Sequence, residues 1–300
     1  MASPWIAALR SVALNVPDLE VAEAFYTRAW HLDVAARRDG VLYLRGTGSD
    51  AYLLSLHAAA QVQIRAVTMR ARSEVAIGQI AAATARAGGR VVSPTALLDD
   101  PAGGIGLTLR DPHGRLFEVV HGDQQRPAPT SEKDRPLRLA HAVLNSHDVD
   151  GDPALLSRQA LGFKLADRTR IMAFMNCNRD HHSLALGDAD NDALNHIAFL
   201  MPDLESVMRG GGRMKDAGHA IEWGPGRHGP GDNAFNYFIG PFGEVIEYTA
   251  EVEQVDDSYR ARGPTDWTVA AGPRRPVGHL RAAERAPERG AARGVLHADS

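Results

Sequence analysis

The sequence predicts an α+β protein: four βαβββ modules in tandem, two to a domain, each pair curling a mixed sheet into a cup. Three observations carry this. The chain repeats itself, the repeats divide again at a shared turn, and apolar residues alternate along the expected strands.

The repeat comes first because it decides the fold. "LRSVALNVPDLE" (9–20) aligns with "LRLAHAVLNSHD" (137–148), and "DPHGRLFEVVHG" (111–122) with "GPFGEVIEYTAE" (240–251), at offsets of 128 and 129 residues. A chain of 300 residues has room for two ordinary domains. The expected division is a first domain over 1–121, a polar, proline-bearing linker over 122–136, a second domain over 137–250 and a C-terminal segment over 251–300.

Each copy splits into two modules, near 6–58 and 64–121, then 137–187 and 193–250. "NVPDLEVAEAFYTRAW" and "LMPDLESVMRGGGRMKDAG" both follow a short apolar strand with Pro-Asp-Leu-Glu. Asp18 and Asp203 are expected helix N-caps, with Glu20 and Glu205 at the positive end of the helix dipole. Val21, Ala24 and Phe25 recur at helical spacing. "EVAIGQIAAATARAGGRVV" (74–92) reads as a helix ending at a glycine pair and followed by a strand. Gly210, Gly211 and Gly212 make a poor helix interior, so that helix is expected to break or end early.

Alternation then assigns faces. In "LNHIAFLM", Ile197, Phe199 and Met201 suit helix packing, which turns His196, Ala198 and Leu200 to the concave side. In "GEVIEYTA", Ile246 and Tyr248 point one way and Val245, Glu247 and Thr249 the other. In "RLAHAVL", His141 alternates with Ala140 and Ala142.

Composition removes several function classes. The net charge of −4 carries no polyanion-binding signal, so nucleic acid is not an expected partner. The N-terminus lacks a secretory pattern and no apolar run approaches membrane-spanning length, which makes the cytoplasm the expected location. The one cysteine, Cys177, has no partner for an internal disulfide and has no neighbouring base in sequence. Any metal must be held by nitrogen and oxygen.

Three such ligands fall on three strands of the second copy: His141, His196 and Glu247. Two neutral imidazoles and one carboxylate on one face of a metal leave positions open, as suits Fe(II) binding an organic substrate and O₂, with Mn(II) a possible substitute. The first copy is the control. At the repeat offsets His141 corresponds to Ala13, His196 to Ala66 and Glu247 to Glu118, so the first copy lacks both imidazoles. Were histidine needed structurally at these positions, both copies should tend to keep it.

With the motifs "LAHAVLNS", "HHSLALG", "LNHIAFLM", "GPGRHGPGDNAFNYF" and "GPFGEVIEYTAE", the chain resembles the type I extradiol ring-cleaving dioxygenases of the vicinal oxygen chelate superfamily over residues 6 to about 250. The resemblance implies that fold, and Fe(II) on His141, His196 and Glu247. It makes His182, fourteen residues before His196, the acid–base histidine, near its natural pKa. It places a supporting histidine at His228 in the "GRHG" turn and an active-site tyrosine at Tyr237. The implied reaction joins a catechol and O₂ at one centre and opens the ring to a hydroxymuconic semialdehyde. Plainer readings stay open: His228 as a turn histidine, Tyr237 as aromatic core, and Arg227 as pairing with a carboxylate or fixing its loop. His181 is expected on the opposite face, as a packing or surface residue. His113, His121, His147, His219 and His279 have no partners to be argued.

The "IEWGPGRHG" and "TDWTV" stretches most resemble the homoprotocatechuate-cleaving branch, which carries basic residues where this chain has Trp223 and Thr265. That absence favours a neutral catechol stacked among Trp223, Phe174 and other apolar groups. An asparagine that the resemblance expects two residues after the first ligand is Val143. "VDDSYRARGPTDWTVAAGP" (255–273) is expected to fold back as a lid anchored by Trp267, and the Arg/Ala-rich remainder to be partly disordered or a surface helix. A homo-oligomer is expected from family habit and exposed sheet edges. The alternatives are a glyoxalase-like metalloenzyme and a non-catalytic small-molecule binder of resistance type.

Overall fold

Two mixed sheets of eight strands each form the protein, in a computed structural model that describes residues 3–127, 132–151 and 159–267. The first copy runs β1 (Ile6–Val16), α1 (Leu19–Ala24), β2 (Asp33–Arg38), β3 (Val41–Arg45), β4 (Leu54–Ala58), then β5 (Gln63–Ala71), α2 (Glu74–Arg86), β6 (Arg90–Leu97), β7 (Ile105–Arg110) and β8 (Leu116–His121). The second runs β9 (Arg138–Ser146), β10 (Lys164–Arg168), β11 (Met172–Asn176), β12 (Leu184–Asp188), then β13 (Leu194–Leu200), α3 (Leu204–Asp216), β14 (Trp223–Arg227), β15 (Ala234–Ile239) and β16 (Val245–Ala250). Strand orders are β2-β3-β4-β1-β5-β8-β7-β6 and β10-β11-β12-β9-β13-β16-β15-β14, so the same order is built twice. This is the α+β architecture of paired modules that the repeat predicts, with the βαβββ order seen in three of them and residues 152–158 between β9 and β10 outside the described residues.

Local chemistry accounts for the elements. The Asp18 carboxylate accepts hydrogen bonds from the Glu20 and Val21 amides, at 2.9 and 3.0 Å, and Asp203 does the same for Ser206 at 2.7 Å. The buried face of the first helix differs from the expected one. A π-turn over Phe25–Ala29 follows α1 and buries Phe25, Tyr26 and Ala29, while Val21 is 45% exposed.

Two sequence expectations are corrected. First, α3 does not break at its glycines: it runs unbroken to Asp216. A Cβ on Gly210 would lie 2.9 Å from the Tyr248 ring, and one on Gly211 2.6 Å from Asn236 Nδ2. Gly210 and Gly211 are there because the sheet beneath leaves no room for a side chain.

Second, the register of the copies is not the expected one. Val12 pairs with Leu54 as Ala142 pairs with Leu184, and Ser11 with Thr68 as His141 with Ala198. His141 therefore stands where the first copy has Ser11, not Ala13, and the true offset there is 130 residues. The matching Leu-Arg letters at 9 and 137 mislead: Leu9 takes the place of Leu139, and each first strand carries a β-bulge just beyond it, between Leu9 and Ser11 and between Leu139 and His141. The bulge also breaks strict alternation: Ala140 packs with Ala198 on the concave side, next to His141. The inference drawn from the control is unchanged, because Ser11 is no more an imidazole than alanine.

One apolar core runs through both halves. Trp30 of the first copy stacks on Tyr248 of the second at 3.6 Å, and Tyr248 donates to the Trp30 carbonyl at 2.7 Å. Burial removes apolar area from water at about 25 cal/mol per Å², so large aromatics at this junction contribute more than its hydrogen bonds. Cys177 is buried, and desolvation pushes its thiol up to about 11. Among the described residues no helix is long and apolar enough to cross a membrane. Of the expected lid, residues 255–267 lie against the second sheet. Its remainder and the Arg/Ala-rich tail lie outside the described residues.

Candidate metal centre

β9, β13 and β16 lie side by side in the second sheet, and this adjacency brings His141, His196 and Glu247 together although 106 residues separate the first from the last. Their ligand atoms all lie within 4.8 Å of one another, and all three residues are buried. Glu247 Oε2 is 3.1 Å from His141 Nε2 and 3.3 Å from His196 Nε2. Glu247 Oε1 accepts from Asn233 Nδ2 at 3.4 Å and is 3.8 Å from His228 Nε2. Burial alone would raise the Glu247 carboxyl, but the facing imidazoles, His141 first, hold it far below the carboxylate range.

A chain of amides fixes the His196 ring. The Ala193 amide donates to Asn191 Oδ1 at 3.1 Å, so that atom is an acceptor. Asn145 Nδ2 donates to it at 2.9 Å, and Asn195 Nδ2 donates to Asn145 Oδ1 at 2.8 Å. Asn195 Oδ1, 2.8 Å from His196 Nδ1, must then accept that ring proton. His196 Nε2 is left with its lone pair aimed at a carboxylate oxygen. Two lone pairs facing at 3.3 Å repel unless a cation lies between them. Burial holds the His196 imidazole below its ordinary value, so a proton does not fill that role well. The donor set fits a divalent ion.

Around the three ligands the structure places the other expected residues. His182 lies just before β12 rather than within it, with its ring 4.3 Å from that of His141. Tyr237 OH is 3.0 Å from His228 Nε2 and 3.5 Å from His196 Nε2. Burial and the Glu247 charge push the Tyr237 hydroxyl well above its usual value, so it stays protonated and able to donate. Trp223 packs on Tyr237 at 4.9 Å and on His228 at 5.2 Å, and Phe174 packs edge-on to His182 at 5.1 Å. Val143 joins Phe174 and Ala185 in a small apolar cluster. Arg227 is partly exposed and engaged by Glu251 and by the Asp232 carbonyl.

Two readings of the histidines change. His182 does not sit near its natural pKa: burial, then the neighbouring imidazoles, pulls it well below. His181 does not turn away from it. His181 is fully buried, with Nδ1 3.0 Å from His182 Nδ1 and Nε2 2.9 Å from Asp167 Oδ2. Asp167 also accepts from Tyr259 OH at 3.1 Å and from the Arg262 amide at 2.8 Å, both on the segment after β16. Gly231 makes the approach possible, since its φ is +80° and a Cβ there would sit 3.1 Å from both histidine rings.

The proton order follows from the partners. Burial would raise the Asp167 carboxyl, but His181, its largest partner, and Arg262 hold it below its ordinary value, so it accepts His181 Nε2–H. His181 Nδ1 then accepts His182 Nδ1–H. His182 Nε2 is left as a bare acceptor. Sequence reading missed Asp167, Asn195, Asn233, Tyr259 and Arg262, none of which stands in a recognisable motif.

Comparisons with known proteins bear on the family and the fold. A family model described as the glyoxalase/bleomycin resistance protein/dioxygenase superfamily matches residues 158–248. Metapyrocatechase 2 of Cupriavidus necator is 31% identical over 189 residues, covering 54% of this chain and 58% of that protein. Metapyrocatechase of Pseudomonas sp. (strain CF600) is 26% identical over 140 residues, covering 44% of each. The chain thus spans about half the length of the curated relatives it matches. Among solved structures, a Mn(II)-bound glyoxalase from Novosphingobium aromaticivorans is 31% identical with a TM-score of 0.82, covering 88% of both chains. Homoprotocatechuate 2,3-dioxygenase from Arthrobacter globiformis, at 21% identity and a TM-score of 0.80, covers 88% of this chain and 85% of its own and shares the fold.

Proposed function

The chain belongs to the glyoxalase/bleomycin resistance protein/dioxygenase superfamily, and we propose that it is an extradiol dioxygenase, opening the ring of a catechol with O₂ at an Fe(II) held by His141, His196 and Glu247. The observation that carries this reading is the buried three-ligand set with the buried His182 ring 4.3 Å from that of His141. Fe(II), or Mn(II) in its place, supplies a Lewis acid that lowers the pKa of a catechol hydroxyl and keeps open positions for both reactants.

The protein's own groups do the rest. His182 Nε2 takes a proton from the substrate side, and the Asp167–His181 pair holds the tautomer that allows it. The resulting imidazolium returns that proton to oxygen as the ring opens, which general acid catalysis makes worth about 10²–10⁴-fold. Tyr237, kept protonated, donates a hydrogen bond to a substrate oxygen, with His228 and Trp223 fixing its ring. Asn233, hydrogen-bonded to Glu247 and Thr249, steadies the carboxylate ligand.

The walls suit a planar, uncharged ring. Val143, Phe174 and Trp223 are apolar or aromatic, and Arg227, the nearest cation in the motif, is already engaged by Glu251. A neutral catechol, alkyl- or aryl-substituted, is the proposed substrate. Steady-state kinetics should then favour catechol, 3-methylcatechol or 2,3-dihydroxybiphenyl over homoprotocatechuate, and the reverse order sinks this substrate assignment.

The reaction itself is tested by anaerobic Fe(II) loading, followed by catechol and air. A yellow ring-fission product is expected. The likeness to a Mn(II)-bound glyoxalase favours one second reading, metal-dependent glyoxalase chemistry on the same ligands. No colour with a panel of catechols, together with turnover of a hemithioacetal, establishes that reading instead.

A further inference from the structure

A second set of metal-ligating side chains lies outside the site described above. His113 stands in the turn between β7 and β8, His147 just after β9, and Asp192 in the turn between β12 and β13. Each offers one ligand atom, and these atoms lie within 4.8 Å of one another. His147 Nδ1 is 2.7 Å from Asp192 Oδ2, and the His113 and His147 rings meet edge-on at 4.6 Å. We infer that His113, His147 and Asp192 form a divalent-cation site of the Zn(II) type that ties the first copy of the repeat to the second.

The donor chemistry fits. Two imidazoles and one carboxylate, with water completing a tetrahedron, make an ordinary set for Zn(II). The set is also pre-arranged. The His147 amide donates to Asp192 Oδ1 at 3.3 Å, which leaves Oδ2 turned to the imidazole. Arg115, whose charge would otherwise compete for Asp192, is committed elsewhere. It is 2.6 Å from Asp111 Oδ2 and 3.0 Å from the Asn145 carbonyl, against 4.0 Å from Asp192.

The duplication supplies the control, as it does for the first site. The register that matches Val12 with Ala142 matches Pro17 with His147 and Val62 with Asp192. The turns Asp111–Gly114 and Gly240–Gly243 match His113 with Phe242. The opposite junction thus carries Pro17, Val62 and Phe242, two of which pack against the core. The fold closes that junction with apolar groups, so nothing in the architecture requires imidazoles at this one. Asp192 and His147 lie on the surface, half or partly exposed, so the ion has an open path in from solvent.

The test uses the full-length, metal-stripped protein and Zn(II) alone, by equilibrium dialysis with elemental analysis. The wild type should bind two equivalents. Glu247→Gln, which cripples the first site, should keep one. His147→Ala should keep one as well, and the double variant should keep none. In the Glu247→Gln background, His147→Ala or Asp192→Asn should weaken the remaining Zn(II) by at least about 100-fold, since even partners outside the ligand set cost 10–100-fold. Zn(II) should raise the melting temperature of Glu247→Gln and leave that of the double variant unmoved. The inference is overturned if Glu247→Gln binds no Zn(II), or if His147→Ala retains both equivalents. His147 is half exposed, so its loss leaves folding intact. Circular dichroism checks this, and a variant found unfolded is replaced by Asp192→Asn. These outcomes are independent of whether the first site cleaves catechols.

Discussion

The two cups of the molecule share a strand order and a register yet are filled in opposite ways. In the second, the row across β9, β13 and β16 reads His141, Ala198, Glu247; in the first, the row across β1, β5 and β8 reads Ser11, Thr68, Glu118. Tyr52 stands where His182 does, Tyr43 where Phe174 does, and the bulge residue Arg10 where Ala140 does. Arg10 is wholly buried, its guanidinium 3.8 Å over the Tyr52 ring. It also lies 3.5 Å from Asp100 and 3.4 Å from Asp123, which Arg70 pairs with at 2.7 Å. One cup is thus sealed by its own ion pairs, and the other keeps three ligand atoms facing one another. The same fold thus holds a ligand set in one copy and a closed ion-pair cluster in the other.

The largest contrast to break is the ligand set. His196→Ala or Glu247→Ala should empty this centre, measured as the loss of one equivalent of bound metal after loading, and turnover should fall beyond the roughly 100-fold typical of losses outside the ligand set. Glu118→Ala, the matching change in the first cup, should leave metal content untouched. His182→Ala should keep the metal and lose about 10²–10⁴-fold in kcat. An iron-replete, fully active His182 variant removes it from the reaction.

The sealed cup should answer with stability instead. Arg10→Met leaves Asp100 and Asp123 with an uncompensated share of buried negative charge, so it should cost about 3–5 kcal/mol in urea unfolding. The pH dependence has a definite sign. Burial would raise Asp123, but Arg70 and Arg10 hold it below its ordinary carboxylate value, so its contribution is present above that value and lost as pH falls through the lowered one. The gap between wild type and variant should be full at neutral pH and narrow in acid.

How far the sequence displays this contrast depends on the register between the copies. The three ligands are legible because histidine is conspicuous and the first copy lacks it. Their supporting cast is not. The first copy has Ala36, Ala51 and Tyr52 against Asp167, His181 and His182, the same kind of asymmetry. The offset is 131 residues at Ala36 and Asp167 but 130 at Tyr52 and His182, because the connection from β11 to β12 is one residue shorter than that from β3 to β4, and a single sequence offset misses this. His181 was lost to the rule of alternation, which applies within a strand and not in the turn that precedes β12. Asp167→Asn tests its role. An amide can present its NH₂ to His181, which reverses the tautomers down to His182, and kcat should fall by up to about 100-fold with metal content unchanged. An unaltered pH–rate profile in that variant would leave Asp167 as packing alone.

The smallest contrast lies under the helices. α3 carries Gly210, Gly211 and Gly212 where α2 carries Ile80, Ala81 and Ala82, and the strand beneath carries Tyr248 where the first copy has Val119. Volume has moved from helix to sheet. Tyr248 is pinned by its stack on Trp30 and its bond to the Trp30 carbonyl, so it has nowhere to give. Gly210→Ala, with its Cβ 2.9 Å from that ring, should therefore cost about 1–3 kcal/mol. Gly212 has nothing within 4 Å of an added Cβ. Gly212→Ala should stabilise by about 0.5–1 kcal/mol, because only the intrinsic helix preference changes there. Opposite signs from two glycines in one run, read from denaturant midpoints, would show that the run is kept for close packing at one end and is free at the other. Equal signs would mean that helix propensity, not the Tyr248 ring, governs the run.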